Sequence, residues 1–186
     1  MISRRARRRI ERVRRQGLAV RGALVLPLLW VTHPLAATSK SPLKKPQRYY
    51  LPSADAARLV TVTKTGEAEK EITILTEAVA IKESGPKETI ARFGEVYAFS
   101  PTSIVLRRNQ PTRITFWNLQ PDDQHDFALV APNLDILMYV RLPPLKKSSY
   151  VFTFHEEGLF DFWCLQHQPE MSGQILVLPG APPASK

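Results

Sequence analysis

A cysteine, a histidine and a methionine fall within eight residues of one another in Gly158-Leu-Phe-Asp-Phe-Trp-Cys164-Leu-Gln-His167-Gln-Pro-Glu-Met171-Ser-Gly173. Thiolate and thioether sulfur select soft metals such as copper(I), zinc or the iron of iron–sulfur clusters, and imidazole suits copper and zinc. The set needs one more nitrogen donor. His125 supplies it, in Phe116-Trp-Asn-Leu-Gln-Pro-Asp-Asp-Gln-His125-Asp-Phe127, where an earlier apolar strand ends. A β-sandwich would bring that strand end beside the later loop, so the candidate metal ligands are His125, Cys164, His167 and Met171.

Each of these residues has a plainer reading. A lone cysteine at a strand end is ordinarily a small buried hydrophobe, and a lone methionine is core filler. The setting argues otherwise, because Cys164 follows an alternating aromatic strand. Side chains alternate across a strand, which puts Phe160, Phe162 and Cys164 on one face and Asp161 and Trp163 on the other. The two phenylalanines should pack in the core, Cys164 should point inward at its end, and Trp163 should point outward as surface packing. His155, in Thr153-Phe-His-Glu-Glu-Gly158, reads as a turn residue, and Asp122 and Asp123 as a solvated loop.

These residues resemble the cupredoxins, the small blue-copper electron-transfer proteins. The resemblance covers roughly residues 97–179 and rests on Gly-x-Phe-x-Phe-x-Cys-x-x-His-x-x-x-Met-x-Gly, the following strand Gln174-Ile-Leu-Val-Leu178, and the upstream His-Asp-Phe. It implies a Greek-key antiparallel β-sandwich holding one mononuclear copper ion that cycles between Cu(I) and Cu(II). His125, Cys164 and His167 would be the strong ligands and Met171 the axial one. The copper A domains of terminal oxidases are related, but their binuclear site needs two cysteines; this chain has one, and Phe160 stands where the other would fall.

The implied activity is electron transfer between redox partner proteins that the sequence does not identify, by a monomer that is not an enzyme. No second histidine cluster suggests a catalytic copper, and no nucleophile–base pair has a credible context. A periplasmic copper store or chaperone, and an accessory cupredoxin domain of a respiratory complex, are the alternatives.

The net charge of +9 would suggest nucleic acid or an anionic membrane if it were spread over the fold. It is not. Residues 1–37 hold nine Arg and one Glu, which leaves 17 Lys/Arg against 16 Asp/Glu in the rest of the 186 residues. The nucleic-acid reading loses its support. The single cysteine excludes a disulfide framework and a zinc ribbon.

In chain order, the arginine-rich head, the apolar run from Gly22 to Val31 and the small residues Pro34-Leu-Ala-Ala37 read as a signal peptide or N-terminal anchor over 1–37. The apolar run is about half of the ~20 residues that a spanning helix requires. Export to the periplasm follows, with any membrane contact made through an uncleaved leader. Ser, Pro and Lys over 38–57 have linker composition. A cupredoxin-like domain follows over 58–180, and 181–186 is a flexible tail.

The β-branched run Val60–Thr63 and Glu71–Leu75 suggest strands. Ala78–Ile81 extends a strand or leads into a short helix over Ser84–Gly94. Seven further short strands are expected at 96–99, 103–107, 112–117, 127–130, 149–154, 159–163 and 174–178.

Overall fold

The computed structural model describes residues 44–180; the leader, the first part of the linker and the tail lie outside them. Within that span the chain forms strands β1 (Val60–Thr63), β2 (Lys70–Ala80), β3 (Val96–Ser100), β4 (Ser103–Arg107), β5 (Thr112–Asn118), β6 (His125–Val130), β7 (Ile136–Leu142), β8 (Lys147–Phe154), β9 (Gly158–Trp163) and β10 (Ser172–Leu178). The short helix α1 (Lys87–Phe93) sits between β2 and β3, entered from Pro86 and ended by Gly94 at φ 80°. That φ lies where glycine carries no Cβ penalty, so the helix stops where the sequence places its glycine.

The strands form two five-stranded sheets, in the orders β1-β8-β5-β2-β3 and β4-β10-β9-β6-β7. Connections from β3 to β4, β4 to β5, β5 to β6, β7 to β8 and β8 to β9 each cross from one sheet to the other, as in Greek-key sandwiches. One expectation needs correction. The pairing is not purely antiparallel, because β2 runs parallel to β5 and β10 parallel to β4, so both sheets are mixed. In both cases the two strands are far apart in the chain and no hairpin dictates their direction.

Alternation sets the core. Along β5 and β10 every second residue is buried, and Phe160, Phe162 and Cys164 all point inward as their spacing requires. Phe99, Phe116, Phe127, Phe152, Phe154, Phe160 and Phe162 interlock between the sheets with centroid separations of 4.5 to 6.3 Å. Each fully buried ring contributes about 1.5–3 kcal/mol of transfer free energy, so this aromatic layer is a firm floor beneath Cys164.

Strand β7 has no counterpart in the sequence reading. Its residues Leu137 to Val140 are all buried, so no alternation marks it. The reason is a covering segment. Tyr50 exchanges backbone hydrogen bonds with Tyr139 (2.7 and 2.9 Å), and the Tyr49 ring stacks on the Tyr139 ring at 4.7 Å. Residues 49–50, within the stretch of linker composition, therefore lie along the outer edge of β7. Among the described residues no helix is long and apolar enough to cross a membrane.

Candidate metal centre

Two pieces of chain converge at one end of the sandwich. His125 opens β6 and is held by its pairing with Leu142 of β7. The loop before it is fixed by Asn118, whose amide donates to the carbonyls of Asp123 (2.8 Å) and Leu142 (2.9 Å). The Asn118 oxygen accepts from the Thr76 hydroxyl (2.8 Å) and the Gln120 N–H (3.0 Å). This buried amide thus has all its main hydrogen-bonding capacity met, which makes it a rigid brace rather than a liability.

The second piece is the loop from Cys164 to Met171, which closes on itself. The Cys164 N–H donates to the Met171 carbonyl (2.9 Å), the His167 N–H to the Cys164 carbonyl (3.2 Å) and the Met171 N–H to the His167 carbonyl (2.9 Å). Gly173, the second residue of β10, lies opposite Phe162. A Cβ there would collide with the Phe162 ring and lie 2.5 Å from the Thr102 carbonyl oxygen, so the residue must be glycine. The spacing of the motif is thereby explained as far as its last residue.

The three donor atoms meet. His125 Nδ1 lies 3.2 Å from His167 Nδ1, and Cys164 Sγ lies 3.4 Å from His167 Nδ1 and 3.9 Å from His125 Nδ1. The circumradius of a triangle with these sides is about 2.0 Å, so one point in its plane sits at that distance from all three atoms. Metal–nitrogen bonds to imidazole are about 2.0–2.1 Å and metal–thiolate bonds about 2.3 Å for zinc, the nearest reference. The donor set therefore fits a trigonally held soft metal ion with little movement. Met171 lies in the same loop, one hydrogen bond from Cys164, with its side chain fully buried. His155 is elsewhere, bonded to Thr61 and Asn109, as its reading as a turn residue expects.

Burial sets the charge of these groups. Desolvation, aided by His167, lowers the pKa of His125 to about 4, and desolvation also lowers that of His167. Desolvation, reinforced by the Asp126 carboxylate, pushes the Cys164 thiol up to about 12. At neutral pH the metal-free site holds two neutral imidazoles and a thiol. The imidazoles are ready to ligate, while the thiol must give up its proton to a cation that replaces it. With both Nδ1 atoms turned toward the sulfur, the remaining nitrogen of His125, Nε2, is buried without a hydrogen-bond partner.

Two residues that the sequence reading did not single out complete the site. Asp126 is fully buried; its Oδ1 accepts the Leu165 N–H (2.6 Å), its Oδ2 accepts the Tyr139 hydroxyl (3.0 Å), and Lys45 Nζ lies 3.9 Å away. Tyr97 packs its ring on His125 and His167 (centroids 4.9 and 4.7 Å) and donates its hydroxyl to Asp123. Burial and that carboxylate raise the Tyr97 pKa, so it stays a neutral phenol. Asp123 is thus only partly the solvated loop residue expected. The one sequence signal for Asp126 was its place next to His125, and Tyr97 carried none beyond strand alternation.

No family model and no curated protein matches the sequence. Solved structures do. Auracyanin B aligns with 14% identity over 66% of this chain and 99% of its own, at a TM-score of 0.43. Auracyanin A, a blue copper protein from Chloroflexus aurantiacus, aligns with 19% identity over 58% and 98%, at 0.41. A multicopper oxidase from Campylobacter jejuni aligns with 10% identity over 61%, at 0.47, and this chain spans about a third of it (31%). The chain has a two-sheet sandwich with a His-Cys-His corner at one end, the arrangement that the resemblance to cupredoxins implies. The first histidine opens β6, while the cysteine and second histidine share one closed loop, so the site is assembled by tertiary packing across 39 residues of sequence.

Proposed function

We propose that this chain binds one copper ion at His125, Cys164 and His167, with Met171 as the axial ligand, and carries single electrons between redox partner proteins. The observation behind the reading is the donor triangle, whose three atoms are equidistant from a point at bonding range for a soft metal. Bound copper supplies the one-electron cycle between Cu(I) and Cu(II). The protein supplies everything else.

Rapid transfer needs ligands that do not rearrange when the charge changes. The Cys164–Met171 loop is closed by its own backbone bonds and the His125 loop is braced by Asn118, which would keep the donors from rearranging when the charge of a bound ion changed. His125, Cys164 and Met171 are fully buried and Tyr97 covers both imidazoles, which shields the donors from water and from small substrates. That favours a carrier over an enzyme. The basic, apolar-cored leader supports export to the periplasm, where soluble copper carriers meet their partners.

The visible absorption spectrum of the copper(II)-loaded protein tests the reading, since thiolate-to-copper charge transfer reports the Cys164 bond directly. An intense band that disappears in Cys164→Ser and persists in His155→Ala is expected, because serine oxygen is a hard, poorly acidic replacement for thiolate. A spectrum unchanged by Cys164→Ser would refute it.

A further inference from the structure

The candidate metal centre has a connection to the surface through Asp126. The first backbone N–H after Cys164, that of Leu165, donates to Asp126 Oδ1 at 2.6 Å. Asp126 Oδ2 accepts the Tyr139 hydroxyl at 3.0 Å, and the Tyr139 ring stacks on that of Tyr49 at 4.7 Å with the planes 22° apart. Tyr49 is 36% exposed. Covalent bonds, two hydrogen bonds and one aromatic stack thus link Cys164 Sγ to the surface.

The exit is basic. The Arg141 guanidinium lies 5.1 Å over the Tyr49 ring, Lys45 is half exposed above Asp126, and Arg48 is exposed beside Tyr49 in the chain. This is a local property, because residues 44–180 carry 15 Lys/Arg against 16 Asp/Glu. The surroundings of His167 have the other sign, since Asp123, Asp126, Glu170 and Glu95 all act on it. Gln124 donates to the Tyr49 hydroxyl (3.1 Å) and Gln166 of the ligand loop donates to the Gln124 carbonyl (3.1 Å), which ties the basic patch to the loop that holds the ligands.

We infer that the surface around Tyr49 is the docking site for an acidic redox protein, and that the path Cys164–Leu165–Asp126–Tyr139–Tyr49 carries the electron to or from it. The inference rests on the copper-carrier reading above. One electron passes: the copper ion loses it as the partner gains it, or the reverse, with no proton moved and no bond broken. An acidic partner suits the patch because opposite charges raise the encounter rate.

The full-length chain tests this with two anionic probes. Redox-inert, paramagnetic hexacyanochromate(III), added to the ¹⁵N-labelled Cu(I) protein, should broaden amide signals at residues 48–50 and 139–141. Oxidation by ferricyanide should slow about tenfold in the Arg48→Glu/Arg141→Glu double variant and lose most of its ionic-strength dependence. Oxidation by cationic tris(phenanthroline)cobalt(III) should not slow. Tyr49→Leu, which leaves Asp126 and its partners in place, should slow ferricyanide oxidation several-fold with an unchanged visible spectrum.

Broadening centred on the His167 loop, or a ferricyanide rate indifferent to the charge reversals, would overturn the inference. So would a single-stranded oligonucleotide that shifts the patch amides when the anionic complex does not, which would reassign the surface to nucleic acid. Loss of the copper-carrier reading shows separately, as an absent thiolate band, and the anion map can still be read on the metal-free chain.

Discussion

Replacing Asp126 by Asn removes a buried charge with almost no change of shape. The carboxylate accepts from an amide N–H and a phenol O–H and pairs with the Lys45 ammonium at 3.9 Å. An asparagine oxygen can still accept the Leu165 N–H, and its NH₂ group can donate to the Tyr139 hydroxyl. The charge is lost, and the Tyr139 O–H gives up its carboxylate acceptor. A 2.6 Å hydrogen bond followed by the covalent links from Leu165 N to Sγ places Oδ1 roughly 6 Å from the sulfur.

At an effective dielectric constant of about 20, unit charges at that distance interact by about 2.8 kcal/mol. The Lys45 ammonium, 3.9 Å from the other carboxylate oxygen, offsets part of this, and about half remains. For a one-electron couple, ~1.4 kcal/mol is about 59 mV. A negative charge favours the more positive, oxidised state of the metal, so Asp126→Asn should raise the reduction potential by about 50 mV. Voltammetry of the two proteins, with exposed Asp135→Asn as a control that shifts neither way, measures it. A shift below about 10 mV, or a downward one, would refute the electrostatic role given to Asp126.

Three other expectations follow from the same geometry. Met171→Gln should keep copper and its thiolate band but lower the potential, because an amide oxygen is harder than a thioether and favours copper(II); an untouched potential and spectrum would mean that Met171 is packing. Metal uptake near pH 7 should release one proton per ion, from Cys164 alone, since burial keeps both imidazoles neutral there. The sign follows from the raised thiol pKa: the proton is present below about 12 and must be displaced, so affinity should rise about tenfold per pH unit across the neutral range, as competition titrations can measure. Gly173→Ala should destabilise the metal-free protein by about 3 kcal/mol in urea unfolding, because the new methyl meets the Phe162 ring and the Thr102 carbonyl in a close-packed layer.

The metal-binding end of the fold was the legible part. Residues 158–173 carry strand alternation, donors of one chemical softness and a glycine at a forced close approach, and all three signals agree. Strand β7 was invisible for a physical reason: with both faces covered, Leu137-Met-Tyr-Val140 has no polar face to alternate with. The parallel pairings of β2 with β5 and β4 with β10 were hidden too, since alternation tells which face of a strand is buried but not which neighbour it takes or in which direction. Asp126 escaped notice because carboxylates are seldom fully buried, and nothing local announces that Leu165 and Tyr139, 39 and 13 residues away, will satisfy it.

The Tyr50–Tyr139 bridge bears on where this protein can be cut. An outermost strand with open N–H and C=O groups invites a second chain to add to it, and β7 is apolar enough to make such polymerisation favourable. Residues 49–50 plug that edge with two backbone hydrogen bonds and a stacked ring. A chain trimmed to begin at Val60, where the first strand starts, would keep every ligand and the whole aromatic layer yet present a sticky seam. The self-sufficient unit therefore begins before Tyr49, inside the stretch whose composition looks like mere tether.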